Sequence, residues 1–142
     1  MKVFVTGVDG YIGVRLAARL QAQGHTVVGL DTGFYRDGWL YTEQKAMARL
    51  PATINKDLRR IEPADLEGCD AVVHLAELSN DPLGQNNPQV TYDINHLGSV
   101  RLARTARDVG VPRFVYASSC SVYGQAVSDW VDENSPTNPQ TA

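Results

Sequence analysis

The stretch Thr6-Gly7-Val8-Asp9-Gly10-Tyr11-Ile12-Gly13 limits what this chain can fold into more than any other segment. It joins a short apolar run, Lys2 to Thr6, to a helical pattern over Tyr11 to Gln23, and its glycines recur at three-residue intervals. Gly7 permits a tight turn. Gly10 leaves bare backbone beside whatever the loop holds, and Gly13 lets the helix pack closely on the strand. The helix N-terminus offers free N–H groups and partial positive charge, a setting that favours a diphosphate. Tyr11 and Ile12 open that helix and join the glycines as candidate contact residues.

The rest of the chain repeats the strand–helix alternation, which predicts a parallel sheet covered by helices. Thr26 to Leu30 is a second strand ending at Asp31, Thr53 to Asp57 a third, Ala71 to Leu75 a fourth and Arg113 to Ala117 a fifth. Short helices are expected near Thr42 to Leu50 and Glu62 to Leu66. A polar loop containing Asp81-Pro82 and Asn87-Pro88 leads into a long helix, Gln89 to Val109. Val90, Ile94, Leu97, Leu102, Ala106 and Val109 form its expected buried stripe. Right-handed crossovers make 3-2-1-4-5 the natural strand order, so the expected fold is α/β, a Rossmann-type doubly wound parallel sheet. Its switch point falls between strands 1 and 4, and a ligand is expected at the carboxyl ends of those strands.

Asp31 adds weight to the glycine loop. It ends the second strand 18 positions after Gly13, near the separation expected for a carboxylate on an adenosine ribose. A carboxylate accepts bonds from both ribose hydroxyls and repels a 2′-phosphate, which favours NAD over NADP. Arg36 is the one nearby cation that weighs against that preference. Asp9, inside the loop, is read as a solvent-facing residue, because an anion beside a diphosphate is unfavourable.

Composition excludes other classes. The 142 residues suit one domain, residues 1–142, and the net charge of −3 offers no surface for nucleic acid or an anionic membrane. No apolar run approaches the roughly 20 residues of a membrane span, and no secretory leader is visible, so the expected location is the cytoplasm. Cys69 and Cys120 fall near opposite ends of neighbouring strands, roughly 16 Å apart, and are expected as free thiols. His25 and His96 lack acidic or cysteine neighbours at ligand spacing, so no metal is expected.

Several further elements resemble the extended short-chain dehydrogenase/reductases, specifically the NAD-dependent epimerase/dehydratase family that modifies nucleotide sugars. They are Asp57-Leu58-Arg59 after the third strand, His74-Leu75-Ala76 at the end of the fourth, Asn95-His96-Leu97-Gly98-Ser99 on the long helix, and Ser118-Ser119-Cys120-Ser121-Val122-Tyr123-Gly124 after the fifth. The resemblance implies that Asp57 and Leu58 flank an adenine, with a turn-capping role as the alternative for Asp57. Leu75 and Ala76 would line the middle of the dinucleotide. Asn95 would order the site, or be a polar residue bonded to backbone. Ala117 and Ser118 would lie near the nicotinamide ribose, and Ser119 would orient the reacting oxygen of the substrate. His74 is expected to pack and hydrogen-bond rather than act as an acid or base. Glu77 replaces the family's usual second alanine and would sit at the cofactor or substrate edge, or in water.

The resemblance also places a catalytic Tyr-x-x-x-Lys pair shortly after a segment like Ser135 to Pro139, and this chain ends at Ala142. Tyr116 and Tyr123 both lack a lysine four positions on. The chain therefore reads as the N-terminal part of such an enzyme, truncated before the sixth strand, without the C-terminal substrate region, and inactive alone. Its substrate would be a nucleotide sugar, and a homodimer is implied by resemblance only. The alternatives are a non-catalytic dinucleotide-binding module and an inactive fragment.

Overall fold

The computed structural model describes residues 1–34, 51–79, 81–125 and 130–141. The helix expected near Thr42 to Leu50, together with Arg36, lies outside the described residues. Strands β1 (Lys2–Thr6), β2 (Thr26–Asp31), β3 (Ala52–Asn55), β4 (Ala71–His74) and β5 (Phe114–Tyr116) form one sheet in the order β3-β2-β1-β4-β5. All four pairings are parallel. The strand order is the expected one. The ends differ slightly: β3 stops at Asn55, β4 at His74 and β5 at Tyr116.

Alternation along the strands builds a core on each face. Val3, Val5, Val27 and Ala71 pack with Val8 and with Ala17 of helix α1 (Tyr11–Ala22). Phe4, Leu30 and Val72 point the other way, onto Leu58, Ile61, Leu66, Leu102 and Ala106. Within α1, Gly13 and Ala17 are buried, while Ile12 is 61% exposed, so the helix turns its small residues to the sheet.

The loop before the long helix contains a helix that the sequence concealed, α2 (Asp81–Asn86). Asn87 then caps α3 (Pro88–Thr91), its side chain accepting from Val90 N. The helix continues through π-helical turns over Tyr92–Gly98 into α4 (Ser99–Asp108). This corrects the expected stripe. Leu102 and Ala106 are buried, but Leu97 and Val109 are exposed, and Gly98 faces inward instead. A π turn inserts an extra residue per turn and rotates everything after it, so a 3.6-residue period misplaces Leu97. Gly98 fits the inward position closely. A β-carbon there would lie 3.3 Å from Leu58 Cδ2.

Beyond β5, a short 3₁₀ turn over Cys120–Tyr123 leads to Gly124, whose φ is +55°. Asn138 N donates to Val122 O at 2.8 Å, which folds the polar tail back onto this turn. Cys69 is buried and Cys120 exposed, and both are free thiols. No helix among the described residues is long and apolar enough to cross a membrane.

Candidate dinucleotide site at the switch point

Parallel register sets Leu30, Thr6, His74 and Tyr116 side by side at the carboxyl ends of β2, β1, β4 and β5. The loop after β1 turns over this edge. Gly7 takes φ +68°, and its N–H donates to Leu30 O at 2.8 Å. A β-carbon at Gly7 would meet Ala76 N at 2.9 Å, and one at Gly13 would come within 2.1 Å of Gly7 O. The loop therefore needs glycine both to turn and to touch its neighbours. Gly10 is the N-cap of α1 and contributes no capping side chain, the kind of helix start that suits an anionic ligand. Tyr11 and Ile12 stand exposed at this mouth, with the Arg15 guanidinium over the Tyr11 ring.

Asp31 faces the loop. One carboxylate oxygen accepts from Asp9 N at 3.0 Å and the other from Gly33 N at 2.8 Å. A carboxylate offers about four acceptor sites, so both oxygens keep capacity for ribose hydroxyls. Asp9 is not solvent-facing as expected; it is 2% exposed. Its position just before the positively polarised end of α1 offsets the burial of a negative group.

A chain of hydrogen bonds fixes the lip beyond β4. Thr6 Oγ1 accepts from Leu75 N at 3.1 Å and Ala76 N at 3.2 Å. Its own proton is then left for His74 Nδ1, 2.7 Å away. This assigns the imidazole proton to Nε2, which donates to Ser99 Oγ at 2.7 Å. Ser99 in turn donates to Asn95 O. The Asn95 side chain grips one residue at two points, accepting from Leu78 N at 2.8 Å and donating to Leu78 O at 3.0 Å. Burial pushes the His74 pKa down to about 4, so the ring is neutral and structural, as expected from the sequence. Asn95 is thus a polar residue bonded to backbone, the alternative reading of its role.

Between these anchors, Glu77 is half-buried and accepts the Tyr116 phenolic O–H at 2.5 Å. Burial raises the Glu77 pKa above the usual carboxylate value, and the Tyr116 bond offsets only part of that rise. Burial and then Glu77 push the Tyr116 pKa up to about 12.

Asp57 and Leu58 lie at the far side, after β3. Asp57 caps the 3₁₀ turn Leu58–Arg60 by accepting from Arg59 N at 2.8 Å, and it also pairs with the Arg59 guanidinium at 2.6 Å. That pairing holds the Asp57 carboxyl below its usual range. The turn-capping alternative is therefore the geometry found. Leu58 is 3% exposed and packs into the core. On the other flank, Ala117 N bonds to His74 O at 3.1 Å, and Ser118 and Ser119 follow, exposed. Ser119 caps the Cys120–Tyr123 turn, its hydroxyl oxygen accepting from Ser121 N at 3.1 Å. Among the described residues no group of three or more His, Cys, Asp or Glu could hold a metal ion.

Sequence reasoning missed Thr6, Ser99 and Tyr116 as parts of the site. The signal available was register: Thr6, His74 and Tyr116 each close a strand of the same sheet. It also passed over one Tyr-x-x-x-Lys spacing, Tyr41 to Lys45. That stretch comes between β2 and β3 in the sequence, not after β5, and lies outside the described residues.

The NAD dependent epimerase/dehydratase family matches residues 3–142. The chain belongs to this family. A UDP-glucose 4-epimerase of Mycolicibacterium smegmatis is 32% identical over 151 residues, covering 98% of this chain and 45% of that protein. A UDP-glucose 4-epimerase of Klebsiella pneumoniae is 33% identical over 129 residues, covering 87% of this chain and 93% of that sequence. The solved UDP-glucose-4-epimerase of Stenotrophomonas maltophila, with bound NAD and formylated UDP-arabinopyranose, superposes with a TM-score of 0.89 at 33% identity, over 99% of this chain and 44% of its own. Apart from the Klebsiella sequence, this chain spans less than half the length of these relatives.

Proposed function

We propose that this chain is the NAD-binding portion of a nucleotide-sugar epimerase or dehydratase. The observation that carries the reading is the meeting of a glycine-built loop, whose N-cap Gly10 has no capping side chain, with Asp31, whose carboxylate bonds to that loop and retains acceptor capacity for a ribose. NAD supplies a hydride acceptor for a sugar carbon. The chain's own residues hold and orient it. Gly7, Gly10, Tyr11, Ile12 and Gly13 frame the diphosphate, and Asp31 binds the adenosine ribose. Asp57 and Leu58 edge the adenine pocket. Leu75 and Ala76 line the middle of the dinucleotide, Glu77 sits at the cofactor edge beside Asn95, and Ala117 and Ser118, just after β5, lie near the nicotinamide ribose. Ser119 keeps a hydroxyl proton beyond the bond it accepts and orients the reacting oxygen of the substrate.

The nucleotide-sugar substrate, a cytoplasmic location and a homodimer belong to this reading, as does the absence of turnover by the isolated chain. The test is thermal or denaturant unfolding with NAD and with NADP. At a hundred times its dissociation constant, NAD is expected to add about 2.7 kcal/mol of stability. Asp31→Ala is expected to remove most of that gain, and NADP to give less. An undiminished gain in the Asp31→Ala variant would overturn the assignment of the ribose contact.

A further inference from the structure

We infer that Glu77, held by Tyr116, makes this site prefer the oxidised, cationic form of the nicotinamide ring over the reduced, neutral form. This deepens the proposed NAD reading and rests on it.

The sheet order supplies the placement. Asp31 closes β2, the diphosphate loop rises from β1, Glu77 lies three residues beyond β4, and Tyr116 closes β5. These strands are neighbours in that order. A dinucleotide with its adenosine ribose at Asp31 and its diphosphate over the β1 loop therefore continues, in the same direction, over β4 and β5. The β4 lip lies directly against that path, since Ala76 N sits 2.9 Å from where a Gly7 β-carbon would be.

Glu77 is held on both sides. Ala76 N is bonded to Thr6 Oγ1, and Leu78 is gripped twice by Asn95. The Tyr116 O–H donates to Glu77, so the glutamate acts as an acceptor, and this bond favours the carboxylate form against the larger, opposing effect of burial. Among the described residues no lysine or arginine forms an ion pair with it. A fixed negative charge at the nicotinamide end, with no ion-pair partner among the described residues, stabilises the form of the ring that carries positive charge. Reduction by hydride removes that positive charge and with it the attraction.

The experiment measures dissociation constants of NAD⁺, NADH and ADP-ribose for the full chain, for Glu77→Gln and for Tyr116→Phe. ADP-ribose lacks the nicotinamide ring and reports the rest of the site. Glu77→Gln is expected to weaken NAD⁺ relative to NADH by about fivefold, the scale of one unit charge at contact distance in water, and to leave ADP-ribose unchanged. Tyr116→Phe, which keeps the carboxylate but releases it, is expected to shift the ratio the same way by a smaller factor, and it serves alone if Glu77→Gln does not fold. An unchanged NAD⁺/NADH ratio with both dinucleotides still bound would overturn this inference and leave the NAD site standing. Equal weakening of all three ligands would also overturn it, marking Glu77 as support for the lip only. Failure of the unaltered chain to bind any of the three would overturn the NAD reading itself.

Discussion

At the scale of single residues, the site depends on where protons and lone pairs are placed. His74 shows this most clearly. Its Nδ1 must accept from Thr6, whose oxygen already receives two backbone N–H groups. A charged imidazole would present a donor to an oxygen with no acceptor left, so the ring stays neutral in the folded chain. Burial depresses its pKa from 6.5 to about 4. Between those values the unfolded chain binds the proton that the folded chain refuses. Stability from this residue is therefore complete above pH 6.5 and falls as pH drops towards about 4, by up to ~1.4 kcal/mol per pH unit. Ring resonances of His74 followed by NMR are expected to titrate near 4, and His74→Gln is expected to flatten this limb of the stability curve. Titration at the ordinary histidine value would contradict the assigned bond pattern. The structural role of His74 was legible in the sequence, but its partners were not. Thr6 and Ser99 lie 68 and 25 positions away and meet it only through the fold. Asp9 was misread for a related reason. Its burial depends on how the loop seats against α1, which residue type alone does not reveal.

At the scale of elements, strands were the most legible, because apolar runs of β-branched residues alternate with helical patterns. The strand order followed from handedness. Helices that break the 3.6-residue period were not legible. α2 contains Pro82 and Gly84, which read as loop residues, and the π-helical turns shift the phase between Val90 and Leu102. β5 carries a testable consequence of its own. Among the described residues it pairs only with β4, and Phe114, Val115 and Tyr116 are 39%, 55% and 49% exposed. An uncovered apolar edge is a template for pairing with another chain. Light scattering across a concentration series is expected to show self-association of the isolated chain. Val115→Lys, which places a charge on that edge, is expected to reduce it. A monodisperse monomer at every concentration would contradict this.

At the scale of the whole molecule, the proposed dinucleotide path runs along one edge of the sheet. The acid of β2, the glycine loop after β1, the braced lip of β4 and the serines after β5 follow one another along a single edge. The family-level assignment was legible because most of its motifs fall just after the carboxyl ends of these strands, and the Asn95-to-Ser99 element on the long helix bonds to the β4 end among them. The most direct measurement is equilibrium dialysis of the unaltered chain against NAD. The arrangement predicts saturation at one NAD per chain. No retention of NAD by folded protein, at concentrations that saturate ordinary dinucleotide sites, would contradict it.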